Sequence, residues 1–395
     1  MRNLAGYLIV GASAAAATAV ATPIIERVAR RKNWMAEPDE RRAHPVPTPD
    51  VGGIAFFVGL IVALVVAFSM DRFQPLLKGN SEIIGVVLAA VFITALGFVD
   101  DIKELSAPMK VTGVVVAAMI LVWFGTTMFY FRLPLLDVFI LSNDWIPLVT
   151  ALWLIGMTQA INLIDGLDGL ATGITAIAAG SFFFYSNNLA SNGLLSEPNI
   201  GPLVAIITLG VCIGFLPFNF NPARIFMGDC GALLLGLLMA VSTSVVGGRS
   251  DPQAQVGAGQ TYFFIAPIFI ALLVLGVPII DVVFAILRRA INRQGLATAD
   301  RGHLHHRLIA LGHGPRRAVV ILWLWTALLS GFALYPALSS TSPNLWPFLL
   351  LAIAMADSRS CTPASGDATR TPPRKTAAQA HEQFGWVLAS RLVCT

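Results

Sequence analysis

Charge is scarce in this chain. Asp, Glu, Lys and Arg make up 12% of its 395 residues, against about 25% in a soluble globular domain. With 56% hydrophobic residues and a mean hydropathy of +0.74, that shortage excludes a soluble multi-domain protein. Cysteine is scarce as well. Cys212, Cys230, Cys361 and Cys394 form no CxxC and no metal-ligand spacing, which excludes a disulfide scaffold and a zinc ribbon. Cys212 and Cys230 lie in apolar runs and read as packing residues. No strongly basic stretch precedes the apolar residues 4–22, so this segment reads as a retained span and not a cleaved signal. The net charge is only +4, and no nucleic-acid partner is expected.

Long apolar runs are what the chain has in place of charge. A membrane helix needs about 20 apolar residues. Candidate spans are 4–24, 51–70, 82–99, 111–131, 146–164, 170–187, 201–218, 230–247, 261–287 and 317–336. Leu345–Met355 is a shortened eleventh. The expected architecture is therefore an all-α polytopic integral membrane protein with about 10–11 transmembrane helices. Residues 1–356 form its transmembrane domain. From Asp357 to Thr395 the chain turns to Ser, Thr, Pro and Ala, which reads as a disordered tail.

The few basic residues orient the spans. Alternate loops hold Arg27, Arg30, Arg31, Lys32, Arg41 and Arg42, then Lys103 and Lys110, then Arg224, then the arginines from Arg288 to Arg317. The opposite side holds only Arg2, Arg72, Lys78, Arg132 and Arg249. By the positive-inside rule the basic side is cytoplasmic. Every polar cluster falls on that side: 33–53, 100–110, 162–168, 219–229 and 300–306. The outer loops read as plain connectors. An active site at the cytoplasmic face is expected.

Each cluster has a chemical and a plainer reading. Carboxylates so close to a bilayer core are costly and usually functional. Asp100 and Asp101, with Lys103 and Lys110 nearby, suit divalent-cation or phosphate work, since Mg2+ prefers carboxylate oxygens plus substrate phosphates. They also suit a solvated helix end. Asn162, Asp165 and Asp168 are spaced by three and interleaved with glycine. They share a helix face, converge on one pocket from a turn, or simply punctuate a polar turn. Asp229 precedes an apolar run and reads as a metal ligand or as an N-cap. Phe226 is placed to stack on a base. His303, His305 and His306 make a poor zinc site and, flanked by Arg301 and Arg307, a better cationic pocket for phosphate, or else a surface cluster with no role. Arg42 and His44, beside Pro45, Pro47 and Pro49, form a stiff basic loop or a membrane-surface patch.

Five of these runs, RRAHPVPTPDVGG, GFVDDIKELSAPMK, NLIDGLDGLATG, NFNPARIFMGDCGALLLG and DRGHLHHRL, stand in one order over residues 33–315. That set resembles the polyprenyl-phosphate N-acetylhexosamine-1-phosphate transferases. The His303-Leu304-His305-His306 form is similar to the GlcNAc-1-phosphate branch. The resemblance implies transfer of GlcNAc-1-phosphate from UDP-GlcNAc to undecaprenyl or decaprenyl phosphate, with release of UMP and a requirement for Mg2+ or Mn2+. It implies a bacterial plasma membrane location, a homodimer, and the first membrane step of a cell-envelope glycopolymer. Asp100, Asp101 and Asp229 are implied as catalytic residues, with Asp101 and Asp229 at the metal. Asn162, Asp165, Asp168 and Phe226 would line the nucleotide pocket. Lys110, Arg301, His303, His305 and His306 would hold phosphates, and Arg42 and His44 would lie on the acceptor loop. Asp50 and Ala232 depart from the family pattern. Another UDP-N-acetylhexosamine donor is the alternative within the family, and an ion-coupled transporter the alternative outside it.

Overall fold

The computed structural model describes residues 4–36, 47–127, 130–132, 138–193, 195, 198–247 and 314–338. The expected span at 261–287, the short run at 345–355 and the tail lie outside these residues. The helices are α1 (Leu4–Lys32), α2 (Gly53–Phe68), the short α3 (Gln74–Leu77), α4 (Ser81–Lys103), α5 (Ala107–Trp123), α6 (Trp145–Ile164), α7 (Leu170–Ser191), α8 (Gly201–Asn219), α9 (Gly228–Gly247) and α10 (Pro315–Leu338). Of these, α1, α4, α6, α8 and α9 are long and apolar enough to cross a membrane. Helix α2 and Asp71–Leu77 form a bent pair, turned by 94°, that is a broken span or a re-entrant loop. The protein is an all-α polytopic membrane protein.

Two expected boundaries move. Helix α1 runs eight residues past 24, carrying Glu26 and four basic residues into its last turns. A backbone gains hydrogen bonds by staying helical beyond the apolar stretch, so hydropathy marks the membrane edge and not the helix end. Helix α5 stops at Trp123, eight residues before the expected 131. Gly125 turns the chain there with φ +86, a conformation glycine adopts without strain. The apolar residues beyond it enter an antiparallel hairpin, β3 (Tyr130–Arg132) with β4 (Val138–Ile140). The loop 132–145, expected to be a plain connector, thus holds part of a hairpin. A smaller pair, β1 (Met35–Ala36) with β2 (Thr48–Pro49), closes the connection between α1 and α2.

Helix α9 is the hub. An 18-residue stretch of it is 94% buried, against 33% for α1, as expected of a helix apolar all round. It packs on α4, α6, α8 and α2. Small residues let the backbones meet. A Cβ at Gly97 of α4 would land on the Cys230 backbone, one at Gly53 of α2 on Gly231, and one at Gly236 of α9 on Thr158 of α6. Helix α7 is less apolar, and α8 and α10 cover it. A Cβ at Gly173 would land on the Trp323 indole of α10.

Candidate active site

The C-terminal ends of α4, α6 and α8 converge with the N-terminal ends of α5 and α9. Asp100 and Asp101 occupy the last turn of α4, which ends at Glu104 in a left-handed conformation (φ +49). Neighbours on a helix point about 100° apart, so the two carboxylates face different elements. Asp100 is buried, and its Oδ1 accepts the Leu105 N–H at 2.7 Å. Its Oδ2 lies against the Lys110 ammonium of α5. Lys110 Nζ also donates to Asp229 Oδ2 at 2.8 Å. Asp229 Oδ1 accepts from Asn162 Nδ2 at 2.9 Å. One ammonium therefore bridges two carboxylates from different helices. The Lys110 and Asp229 side chains keep 28% and 23% exposure, so the cluster opens to solvent.

Asp101 does other work. Its Oδ1 accepts the Asp229 N–H at 2.6 Å and its Oδ2 the Cys230 N–H at 3.1 Å. Those are unpaired amides of the first turn of α9. Asp229 was a candidate N-cap; the cap instead comes from Asp101, on another helix. Carboxylates are favoured at that positive helix end. Gly228 makes the fit possible. Its φ is +66, and a Cβ there would meet the Asp50 carbonyl and the Asp101 carboxylate.

The Asn162, Asp165 and Asp168 group does not act as one face. Asn162, in the last turn of α6, reaches Asp229. Asp165 ends that helix and is half-buried. Asp168 is buried and turned toward the loop after α8, where Oδ2 accepts from Asn221 Nδ2 at 2.9 Å and the Ala223 N–H at 3.0 Å. Sequence reasoning missed Asn219, which is buried and joins these segments. Its Oδ1 accepts the Gly169 N–H at 3.1 Å and the Thr172 hydroxyl at 2.9 Å, while Nδ2 donates to the Ile225 carbonyl at 3.1 Å. An Asn at the very end of an apolar run was the available signal. Phe226 is half-buried, and its backbone pairs with the segment just before α2. Its N–H donates to the Pro49 carbonyl at 2.8 Å, and its carbonyl accepts the Gly52 N–H at 2.9 Å. Arg42, His44, Arg301, His303, His305 and His306 lie outside the described residues.

A divalent ion can be tested against this donor set. Among the described residues, no group of three His, Cys, Asp or Glu side chains is arranged to hold a metal ion. Yet Asp100 and Asp229 face a single ammonium, while Asp101, also expected at the metal, has both oxygens on the Asp229 and Cys230 N–H groups. Asp100 and Asp229 already share a cation through hard oxygen donors. That suits Mg2+, which takes one or two carboxylates and completes its shell with water and phosphate. The residues fit the ion.

Helices long enough to cross a bilayer, ending in a carboxylate–lysine centre on one face, define a polytopic membrane protein with a polar site at its rim. Comparison with known proteins sharpens this. Residues 83–247 match glycosyl transferase family 4. The chain is similar to a decaprenyl-phosphate N-acetylglucosaminephosphotransferase of Mycobacterium leprae, 33% identical over 84% of this chain and 83% of the relative. It is also similar to a probable undecaprenyl-phosphate N-acetylglucosaminyl 1-phosphate transferase of Bacillus subtilis, 35% identical over 77% and 78%. A phospho-N-acetylmuramoyl-pentapeptide-transferase of Desulfitobacterium hafniense is 28% identical over 73% and 83%. The chain belongs to glycosyl transferase family 4.

Proposed function

We propose that the protein transfers GlcNAc-1-phosphate from UDP-GlcNAc to a polyprenyl phosphate, undecaprenyl or decaprenyl. The products are polyprenyl-diphospho-GlcNAc and UMP. The names of the relatives support the donor sugar and the lipid class. The observation that carries the chemistry is the Lys110 ammonium bridging Asp100 and Asp229 at the mouth of the helix bundle. The excess of Lys and Arg in the loops of that side supports a cytoplasmic location.

In the reaction, an oxygen of the lipid phosphate attacks the phosphorus that carries the sugar. The bond from that phosphorus to the bridging oxygen breaks, and UMP leaves. A phosphate monoester has its second pKa near 6, so the acceptor arrives largely ionised, and Asp100 takes the remaining proton. Lys110 reaches both carboxylates and holds phosphate oxygens when substrate enters. Asn162 orients the Asp229 carboxylate, and Asp101 sets the place of Asp229 by holding its N–H. Mg2+ or Mn2+, held by Asp229 with Asp100 beside it, would neutralise charge on the leaving phosphate. The acids stand at helix ends and not on broken helices at mid-membrane, which is where transporter sites lie.

The test is purified protein with UDP-GlcNAc, undecaprenyl phosphate and Mg2+. UMP release that requires lipid and metal is expected. Decaprenyl phosphate and other UDP-N-acetylhexosamines then rank acceptor and donor. No UMP from any pairing would refute the reading.

A further inference from the structure

A second charged cluster lies apart from the acidic centre. Glu26, near the inner end of α1, is 7% exposed. Its Oε2 accepts from Arg224 Nη2 at 2.8 Å, and its Oε1 takes Arg30 of the same helix at 3.2 Å. Arg30 Nη2 also reaches the Arg224 carbonyl at 3.4 Å. Helix α1 thus grips one residue by both its side chain and its backbone. The Arg224 N–H donates to the Phe218 carbonyl at 2.9 Å, and its guanidinium lies 5.5 Å from the Phe218 ring centroid.

A carboxylate in an apolar helix is costly to bury unless it is paired. Helix α1 contributes no group to the acidic centre, so the pair serves something else. Arg224 stands two residues before Phe226 and five before Asp229. The segment between α8 and α9 is tied to α7 through Asn219 and Thr172, to the turn before α7 through Asp168, to Pro49 and Gly52 through Phe226, and to α10 through Arg316, whose Nε donates to the Asn221 carbonyl at 2.8 Å. Arg224 is where α1 joins those ties.

Resting on the transferase reading above, we infer that Glu26 is a positioning residue. Through Arg224 it holds the Phe226–Asp229 segment in register with the site, and its loss weakens capture of the nucleotide donor more than turnover. Neutral Glu26→Gln keeps the shape and removes the charge. The KM for UDP-GlcNAc is expected to rise about tenfold, the scale of losses when a supporting partner is removed. The kcat should fall less than threefold, and the KM for undecaprenyl phosphate should hold. The charge-swapped Glu26→Arg, Arg224→Glu double variant should recover most of the donor KM. If Glu26→Gln does not yield folded protein, Arg224→Gln breaks the same pair from its exposed side and carries the same expectation. UMP affinity, read by tryptophan fluorescence without turnover, should weaken in parallel. Unchanged donor KM and UMP affinity, a fall confined to kcat, or no recovery in the swap would overturn the inference. A wild-type protein that binds UMP but never releases it from UDP-GlcNAc would instead sink the transferase reading, leaving UMP affinity to judge Glu26.

Discussion

Asp100 and Asp101 are consecutive in the chain and meet opposite surroundings. Asp100 faces an ammonium shared with Asp229, whereas Asp101 accepts two backbone N–H groups from α9. Asp168 repeats the second pattern, holding Asn221 and the Ala223 N–H. The contrast separates two uses of a carboxylate at a membrane rim. One that faces a flexible cation can trade that partner for substrate or metal. One that accepts from backbone amides is part of the frame, because moving it would strand buried donors.

That distinction can be broken by measurement. The largest effect is expected at Asp229→Asn. It should lose nearly all UMP release, at least about 100-fold, as when a group that stabilises charge in the transition state is removed, while thermal stability changes little. Near-normal turnover would end the role given to Asp229. Lys110→Met should follow, with roughly 100-fold lower kcat/KM from the same cause. A loss confined to melting temperature would move Lys110 to the frame. Asp101→Asn should lose one of two backbone acceptors, costing about 1–3 kcal/mol of stability and roughly 10–100-fold in activity through Asp229. If its melting temperature matches wild type while activity vanishes, Asp101 belongs with the chemistry. The smallest effect is expected at Asp168→Asn, which should lower melting temperature and leave kcat within about tenfold, the low end of supporting-partner losses.

Much of the site could be read from the chain. Asp100, Asp229, Lys110 and Asn162 were all candidates, and the structure joins them around one ammonium. Asp168 and Asn162 looked like one group because their spacing suits one helix face. The helix ends at Ile164, so the shared face ends there too, and Asp168 turns away. Glu26 was invisible because a hydropathy reading treats the first charged residue as the end of a span. Its partner Arg224 lies 198 residues away, and no local pattern connects them. Asn219 stood at the end of an apolar run, and its partners Gly169 and Thr172 lie about 50 residues away.

Hydropathy and motif order determined by themselves that this is an all-α membrane protein and in what order its helices run. These are properties of short stretches against a solvent boundary, so they can be read in one dimension. Which carboxylate meets the ammonium and which caps α9 was decided only in three dimensions. That choice depends on how each helix is rotated and how closely it approaches α9, and both are set by glycine contacts at Gly53, Gly97 and Gly236 between residues far apart in the chain.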